Sequence, residues 1–251
     1  MVNKSTATAT EFWDAVFSDG MRGDYGEVRF LGEDDPVYPG LQAALAHFGD
    51  LRGKTILDLG CGNGGTSLFF ARHGANVIAT DLSQAAIANL SDFCDREGIT
   101  NVSAVHMPAQ EIAGLEGIDF VFGCMILHHI EPFGEFVSSL RRVIPAGGRG
   151  FFLENNARSS LMIWFRENLV GKYGIPKFGD EEEFPLTVAE VDMLRQDFQV
   201  RIVYPELYLF RLIPQYLLRG RMQRPFLALD HFLARFPKIL QYSYRQFVYL
   251  A

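Results

Sequence analysis

Along this chain of 251 residues, short apolar runs alternate with longer stretches in which apolar residues recur at helical spacing. Thr55–Leu59, Val77–Thr80, Val102–His106, Glu116–Phe122 and Gly150–Leu153 have the length and content of buried strands. Leu41–Leu51, Thr66–His73, Ser83–Glu97 and Phe136–Val143 read as amphipathic helices between or beside them. This alternation predicts right-handed crossovers and a mainly parallel sheet covered by helices, an α/β fold.

The pattern changes at both ends. Residues 1–52 read as a lead carrying a capped helix, Glu11–Phe17, and a Gly-rich, charged stretch, Asp19–Tyr38, too interrupted for a regular element and placed to fold over a ligand as a lid. Residues 53–251 form the main domain. In its second half Leu161–Val170 is helical, Lys172–Pro185 is a polar loop with the acidic run Asp180–Glu183, and Thr187 caps a helix to Arg195. Phe198–Tyr204 and Tyr242–Leu250 alternate like strands, the last pairing antiparallel beside its neighbour. Residues from about 207 to 240 are then a helical insertion covering the carboxyl edge of the sheet, where substrate choice is expected to reside.

Composition narrows the classes of function. With 48% hydrophobic residues the chain can bury one large α/β core, but a second full domain would be cramped. A net charge of -7 argues against nucleic acid as a partner. Cys61, Cys94 and Cys124 are odd in number and lack metal-type spacing, which fits a reducing cytoplasm. The first residues lack the apolar core of a signal peptide, and no apolar run approaches the ~18 residues that span a bilayer. Charge is unevenly placed: from Pro205 to Ala251 seven bases face two acids, with aromatics interleaved. Such a surface suits an anionic lipid head group, a membrane face or an acidic acceptor, unless its aromatics simply form the insertion's own core and its arginines are solvated.

The candidate chemistry begins where the first strand ends. In Asp58-Leu59-Gly60-Cys61-Gly62-Asn63-Gly64-Gly65, three glycines at alternate positions join a strand to a helix. Glycines accept positive φ and let a ligand lie on the main chain, and the following helix aims its unpaired amides at that ligand. Gly60, Gly62 and Gly65 also satisfy the dinucleotide fingerprint of NAD-dependent oxidoreductases. Asp58 points elsewhere, because an acid there suits a ligand with an ammonium group better than a pyrophosphate. Asp81, about 20 residues on at the end of the second strand, is placed to accept hydrogen bonds from a ribose diol, or to cap the following helix. At the end of the fourth strand stand Cys124 and the pair His128-His129, and at the end of the fifth Glu154-Asn155. His128 or His129 could take a proton from an attacking hydroxyl or amine; Glu154 could orient one of them or act as a base itself.

Asp58 to Gly64 resembles the first motif of class I S-adenosylmethionine-dependent methyltransferases. Leu140-Arg141-Arg142-Val143-Ile144-Pro145-Ala146-Gly147-Gly148 is similar to the segment before their fifth strand, and His128-His129-Ile130 to their post-strand turn. The likeness covers roughly residues 53 to 155. It implies a Rossmann-like, seven-stranded, mostly parallel sheet with an antiparallel last strand, and S-adenosyl-L-methionine as cofactor. It implies cofactor contacts from Asp58, Gly60, Cys61 and Gly62 at the turn, Asp81 and Leu82 at the second strand, and Cys124 at the fourth. The adenine would meet the loop of Pro108, Ala109 and Gln110; Pro108 stands where the family often has an acid, leaving the Ala109 backbone, Gln110 and Glu111 to serve the exocyclic amine. Phe12, Trp13 and Tyr25 are candidates to cover the methionine end, if they do not merely dock the helix. A metal-assisted reaction would want an acid where Gly123 and Cys124 stand. The expected reaction is methyl transfer to a small or amphipathic acceptor, oxygen before nitrogen or carbon. An NAD-dependent oxidoreductase and a non-catalytic module binding a membrane or partner through the basic tail are the rivals.

Overall fold

The computed structural model describes residues 6–18, 27–172, 184–218 and 221–251. Tyr25 and Asp180–Glu183, named above, and Arg219, one of the seven bases counted after Pro205, lie outside the described residues. The five apolar runs become β1 (Thr55–Leu59), β2 (Asn76–Asp81), β3 (Val102–His106), β4 (Phe120–Cys124) and β5 (Arg149–Asn155). They pair in parallel in the order β3-β2-β1-β4-β5, and β7 (Arg245–Leu250) and then β6 (Val200–Val203) complete a seven-stranded sheet. β7 runs antiparallel to both β5 and β6. The connecting helices are α1 (Thr6–Ser18), α2 (Tyr38–Phe48), α3 (Gly65–Arg72), α4 (Gln84–Glu97), α5 (Phe133–Val143), α6 (Ser160–Asn168) and α7 (Val188–Asp197).

Several strand limits depart from the periodicity, among them β6 and β7, which start at Val200 and Arg245 instead of Phe198 and Tyr242, and for two others the cause is visible. β4 starts at Phe120 instead of Glu116, because Gly117 turns the chain at φ 71° and the Asp119 carboxylate accepts from Thr55 N and Lys54 Nζ, each at 2.9 Å. β5 continues past Leu153 through Glu154 and Asn155, which pair with Gln246 and Arg245 of β7. A long-range partner thus extends a strand whose own residues turn polar.

The sheet's alternation splits its side chains between two cores. One face carries Ile56, Phe122, Phe151 and Leu153 against α2 and α3, with Phe48, Leu68 and Phe70 fully or nearly buried. The other carries Leu57, Leu59, Val121 and Phe152 against α5 and α7, with Phe136, Leu140 and Leu194. Thr187 caps α7 with a reciprocal bond to Glu190.

Between β6 and β7 lie α8 (Leu212–Tyr216), α9 (Gln223–Leu233) and α10 (Pro237–Leu240). Asp230, fully buried, accepts from Phe210 N, Arg211 N and Arg211 Nε, tying α9 to the chain before α8. Arg211, paired also with Glu206, is therefore not a solvated base. At the other end α1 lies on α4: Asp14 accepts from Ser83 Oγ and Ala85 N, and Asn89 Nδ2 donates to Phe17 O. Among the described residues no helix is long and apolar enough to cross a membrane.

Candidate functional site

The carboxyl ends of β1, β2, β4 and β5 open into a cavity of about 490 Å³, as expected where the order of a parallel sheet reverses. α1 and residues 29–37 close it on one side, α6 and α8 on another.

Its floor is the glycine turn. Gly60, Gly62 and Gly64 have φ of 66°, 52° and 75°, a region closed to most side chains. A Cβ on Gly60 would come within 2.5 Å of Ile126 Cδ1, so the approach of the post-β4 turn also requires glycine there. The turn is tied to β2 by Cys61 N donating to Thr80 O and by Gly62 N donating to Asp81 Oδ2 at 2.8 Å. Asp81 Oδ1 accepts from Ser83 N, also at 2.8 Å, while the α4 cap is Ser83, whose Oγ accepts from Ala86 N. Asp81 therefore braces the turn and still faces the cavity. Burial raises its pKa, with the amides of Ser83, Gly62 and Leu82 pulling the other way.

Asp58 is placed differently from the sequence expectation. It is 1% exposed and off the cavity wall, and its Oδ2 accepts from the hydroxyls of Thr66, at 2.7 Å, and Ser67. It anchors the first turn of α3 from beneath, with its carboxylate turned to those two hydroxyls. Burial pushes its pKa up to about 6 against the two hydroxyl bonds, with the neighbouring Asp81 adding to the rise.

Leu82, Met107, Ala109 and Gln110 form the wall beyond Asp81. Pro108 does not line it and stands, at φ -64°, as the residue before the 3-10 turn Ala109–Gly114. Glu111 is exposed and off the wall as well. Gln110 Nε2 is bound to Glu131 O at 2.7 Å, which fixes the side chain across the mouth of this end.

The reactive end is built on Glu154. This residue is fully buried behind the wall, and its Oε1 accepts from Ile126 N at 2.9 Å and Leu127 N at 2.7 Å. Its Oε2 lies 2.6 Å from His128 Nδ1. One carboxylate thus clamps the turn after β4 and orients the imidazole that the turn carries. With the Nδ1 proton given to Glu154, Nε2 is the basic nitrogen of His128. Of the two roles open to Glu154, the geometry leaves orientation, since it has no cavity face. The turn is tight: Met125 has φ 55°, and a Cβ on Gly123 would come within 2.7 Å of both Ile126 Cγ2 and Phe152 Cδ1. His129 lines the cavity beside His128, its ring 4.2 Å away, and meets the edge of Trp13 at 5.4 Å. Burial pushes the Cys124 thiol up to about 12, with Glu154 and Asp58 adding to the rise and Arg245 opposing it, so this wall residue is a poor nucleophile. Among the described residues no cluster of three or more His, Cys, Asp or Glu is arranged to hold a metal ion.

Several wall residues escaped the sequence reading. Arg29, paired with Asp35 at 2.6 Å, comes from the irregular lead. Arg166, Tyr208, Tyr244 and Arg245 come from α6 and the two ends of the insertion. None sits in a local motif; the excess of arginine and aromatic residues after residue 205 pointed toward Tyr208, Tyr244 and Arg245, and nothing in the sequence pointed to Arg29 or Arg166.

Residues 56–148 match a family model described as a methyltransferase domain. The ubiquinone biosynthesis O-methyltransferase of Acinetobacter baylyi is 26% identical over 164 residues, 64% of this chain and 64% of that protein. Its counterpart in Cronobacter sakazakii is 32% identical over 165 residues, 64% of this chain and 63% of that protein. The chain thus spans a little under two thirds of the length of these relatives. Among solved structures, geranyl diphosphate C-methyltransferase from Streptomyces coelicolor superposes with TM-score 0.61 and 14% identity over 98% of this chain and 96% of that one. Magnesium protoporphyrin IX methyltransferase from Synechocystis gives 0.59 and 16% over 98% and 99%. At these identities the likeness is one of fold. The span that matches the methyltransferase-domain model holds the glycine turn, Asp81 and the His128 turn, and over it the chain is similar to these methyltransferases.

Proposed function

We propose that the protein moves the methyl group of S-adenosylmethionine to an oxygen of a small acceptor, with His128 as the base. The observation that carries this reading is the 2.6 Å contact between His128 Nδ1 and a buried Glu154, on the wall of a cavity whose other end is a glycine cradle braced by Asp81. The cradle suits the cofactor: positive φ at three glycines exposes main chain, and Asp81 offers carboxylate lone pairs toward a ribose. Asp58 and Asp81 beneath and beside it favour a ligand that carries positive charge. When bound, the cofactor supplies a methyl group on a sulfonium that leaves as a neutral thioether.

The chain's own residues have two tasks. The walls hold the acceptor oxygen in line with the methyl carbon, a contribution of proximity that reaches about 7 to 11 kcal/mol in well-oriented systems. His128 Nε2 then takes the acceptor's proton as its lone pair forms the new bond, while Glu154 stabilises the imidazolium so formed. Trp13 and Phe17 on α1, with Leu31 and Val37, keep water from the cofactor end. Ala109 and Gln110 are the candidates for the adenine edge, and Gly60, Cys61, Gly62, Leu82 and Cys124 for packing contacts. Calorimetry with S-adenosylhomocysteine and with NADH tests the reading. Binding of the first alone supports it, and binding of NADH alone reverts to the oxidoreductase.

An amphipathic acceptor taken from a lipid surface is favoured by a second observation. Leu161 and Trp164 on α6 are 67% and 54% exposed, and Phe232 and Phe236 about α9 are 53% and 49% exposed, with Arg235 over the Phe232 ring. Cosedimentation with phosphatidylglycerol vesicles, lost in Trp164→Ser and Phe232→Ser, is the expected result; no cosedimentation of the parent protein removes this part.

A further inference from the structure

The cavity has two chemically distinct ends. Over β1 and β2 lie Asp81 and the glycine turn, with Asp58 beneath. Over β5 and β7 the wall is basic and phenolic: Arg245, Arg166, Tyr208 and Tyr244. Arg166 Nη1 donates to Tyr244 Oη at 3.1 Å. Arg245 Nη1 donates to Pro36 O at 3.2 Å, and its guanidinium lies over the Tyr208 ring at 5.0 Å. The other guanidinium at Tyr208, that of Arg211, is neutralised by Glu206 and Asp230. Arg245 is not: no carboxylate among the described residues pairs with it, although it is only partly exposed. A partly exposed guanidinium held by a carbonyl and a ring lacks the carboxylate that Arg29 and Arg211 have.

We infer that this wall, centred on Arg245, binds an oxyanion, a carboxylate or phosphate group, carried by the acceptor. The inference rests on the methyltransferase reading and adds the substrate class to it. Placement separates this site from the cofactor's own carboxylate. β7 lies three strand spacings from β1, roughly 14 Å across the sheet at about 4.8 Å each. The arginine whose main chain nears the glycine turn is Arg29: its carbonyl oxygen is 3.4 Å from where a Gly65 Cβ would be, and its guanidinium is paired with Asp35. Arg245 instead pairs in register with Asn155, the residue after Glu154, and Glu154 carries His128. An anion on Arg245 would therefore be anchored on the strand pair that also holds the base. The planar fork suits two oxygens of one anion, and Tyr208 beneath it keeps the fork in plane.

The test uses the full chain saturated with S-adenosylhomocysteine, titrated with benzoate, phenyl phosphate and neutral benzyl alcohol by calorimetry or ligand-observed NMR. At least one of the two anions is expected to bind tenfold or more tightly than benzyl alcohol, and which one does distinguishes a carboxylate from a phosphate. Arg245→Gln should remove that preference while S-adenosylhomocysteine binding stays within twofold. Equal binding of all three probes to the parent protein overturns the inference without any variant being needed. So does a preference that survives in Arg245→Gln, or a tenfold loss of S-adenosylhomocysteine binding there, which would assign Arg245 to the cofactor. Failure of the parent protein to bind S-adenosylhomocysteine at all, read before any probe is added, strikes the underlying methyltransferase reading instead.

Discussion

Three carboxylates surround the cavity, Glu154 and Asp58 buried and Asp81 partly exposed, and their hydrogen bonds differ. Glu154 receives two backbone amides and an imidazole, Asp81 two amides, and Asp58 two hydroxyls. Glu154→Gln keeps an acceptor for Ile126 and Leu127 but presents an amide N–H to His128 Nδ1, which moves the imidazole proton to Nε2 and blocks its action as a base. A fall in kcat of about a hundredfold or more is expected, with S-adenosylhomocysteine affinity within twofold, measured by initial rates and calorimetry. Asp58 gives a pH dependence. Its pKa in the fold is about 6, above the ordinary 3.8, so it is neutral at pH 5 and charged at pH 7. A raised carboxyl pKa means that Asp58 favours the fold most below 3.8 and loses this contribution as pH rises through about 6. A cationic ligand prefers the charged form. The ratio of S-adenosylmethionine to S-adenosylhomocysteine affinity should therefore rise with pH through about 6, and Asp58→Asn should flatten the rise.

At the scale of elements, each strand end is shaped by a residue from another element. Gly123 is the sharpest instance, since Ile126 and Phe152 fill the space of its missing Cβ. Gly123→Ala should cost about 1 to 3 kcal/mol of stability and displace the turn bearing His128, seen as a lower denaturation midpoint and reduced kcat together. The glycine turn, the strand alternation and the Thr187 cap were legible in the sequence because each is written in a dozen adjacent residues. The direction of Asp58 was not legible: its partners Thr66 and Ser67 were in plain view, yet only the fold of the turn brings them back over β1. The basic wall was not legible residue by residue. Arg245 meets Asn155 through a strand pairing 90 positions apart, and no local periodicity encodes such a contact.

For the molecule as a whole, the surplus of acid lies in the sequence before Pro205, and residues from both parts line the cavity. Ligand should couple these parts, because α1, the glycine turn and the insertion all contribute wall. At a hundredfold excess over its Kd, S-adenosylhomocysteine is expected to stabilise the fold by about 2.7 kcal/mol, a rise in Tm of about 5 to 10 °C by scanning calorimetry. NADH at the same concentration should leave Tm unchanged. The position of β7 has a further consequence. It follows β6 in the chain but lies between β5 and β6, so β6 has no hydrogen-bonding neighbour until the whole insertion has been synthesised and β7 slots in. During translation the β1–β5 part of the sheet can therefore settle while the opposite rim stays open, and the wall around Arg245 takes shape only once β7 has paired.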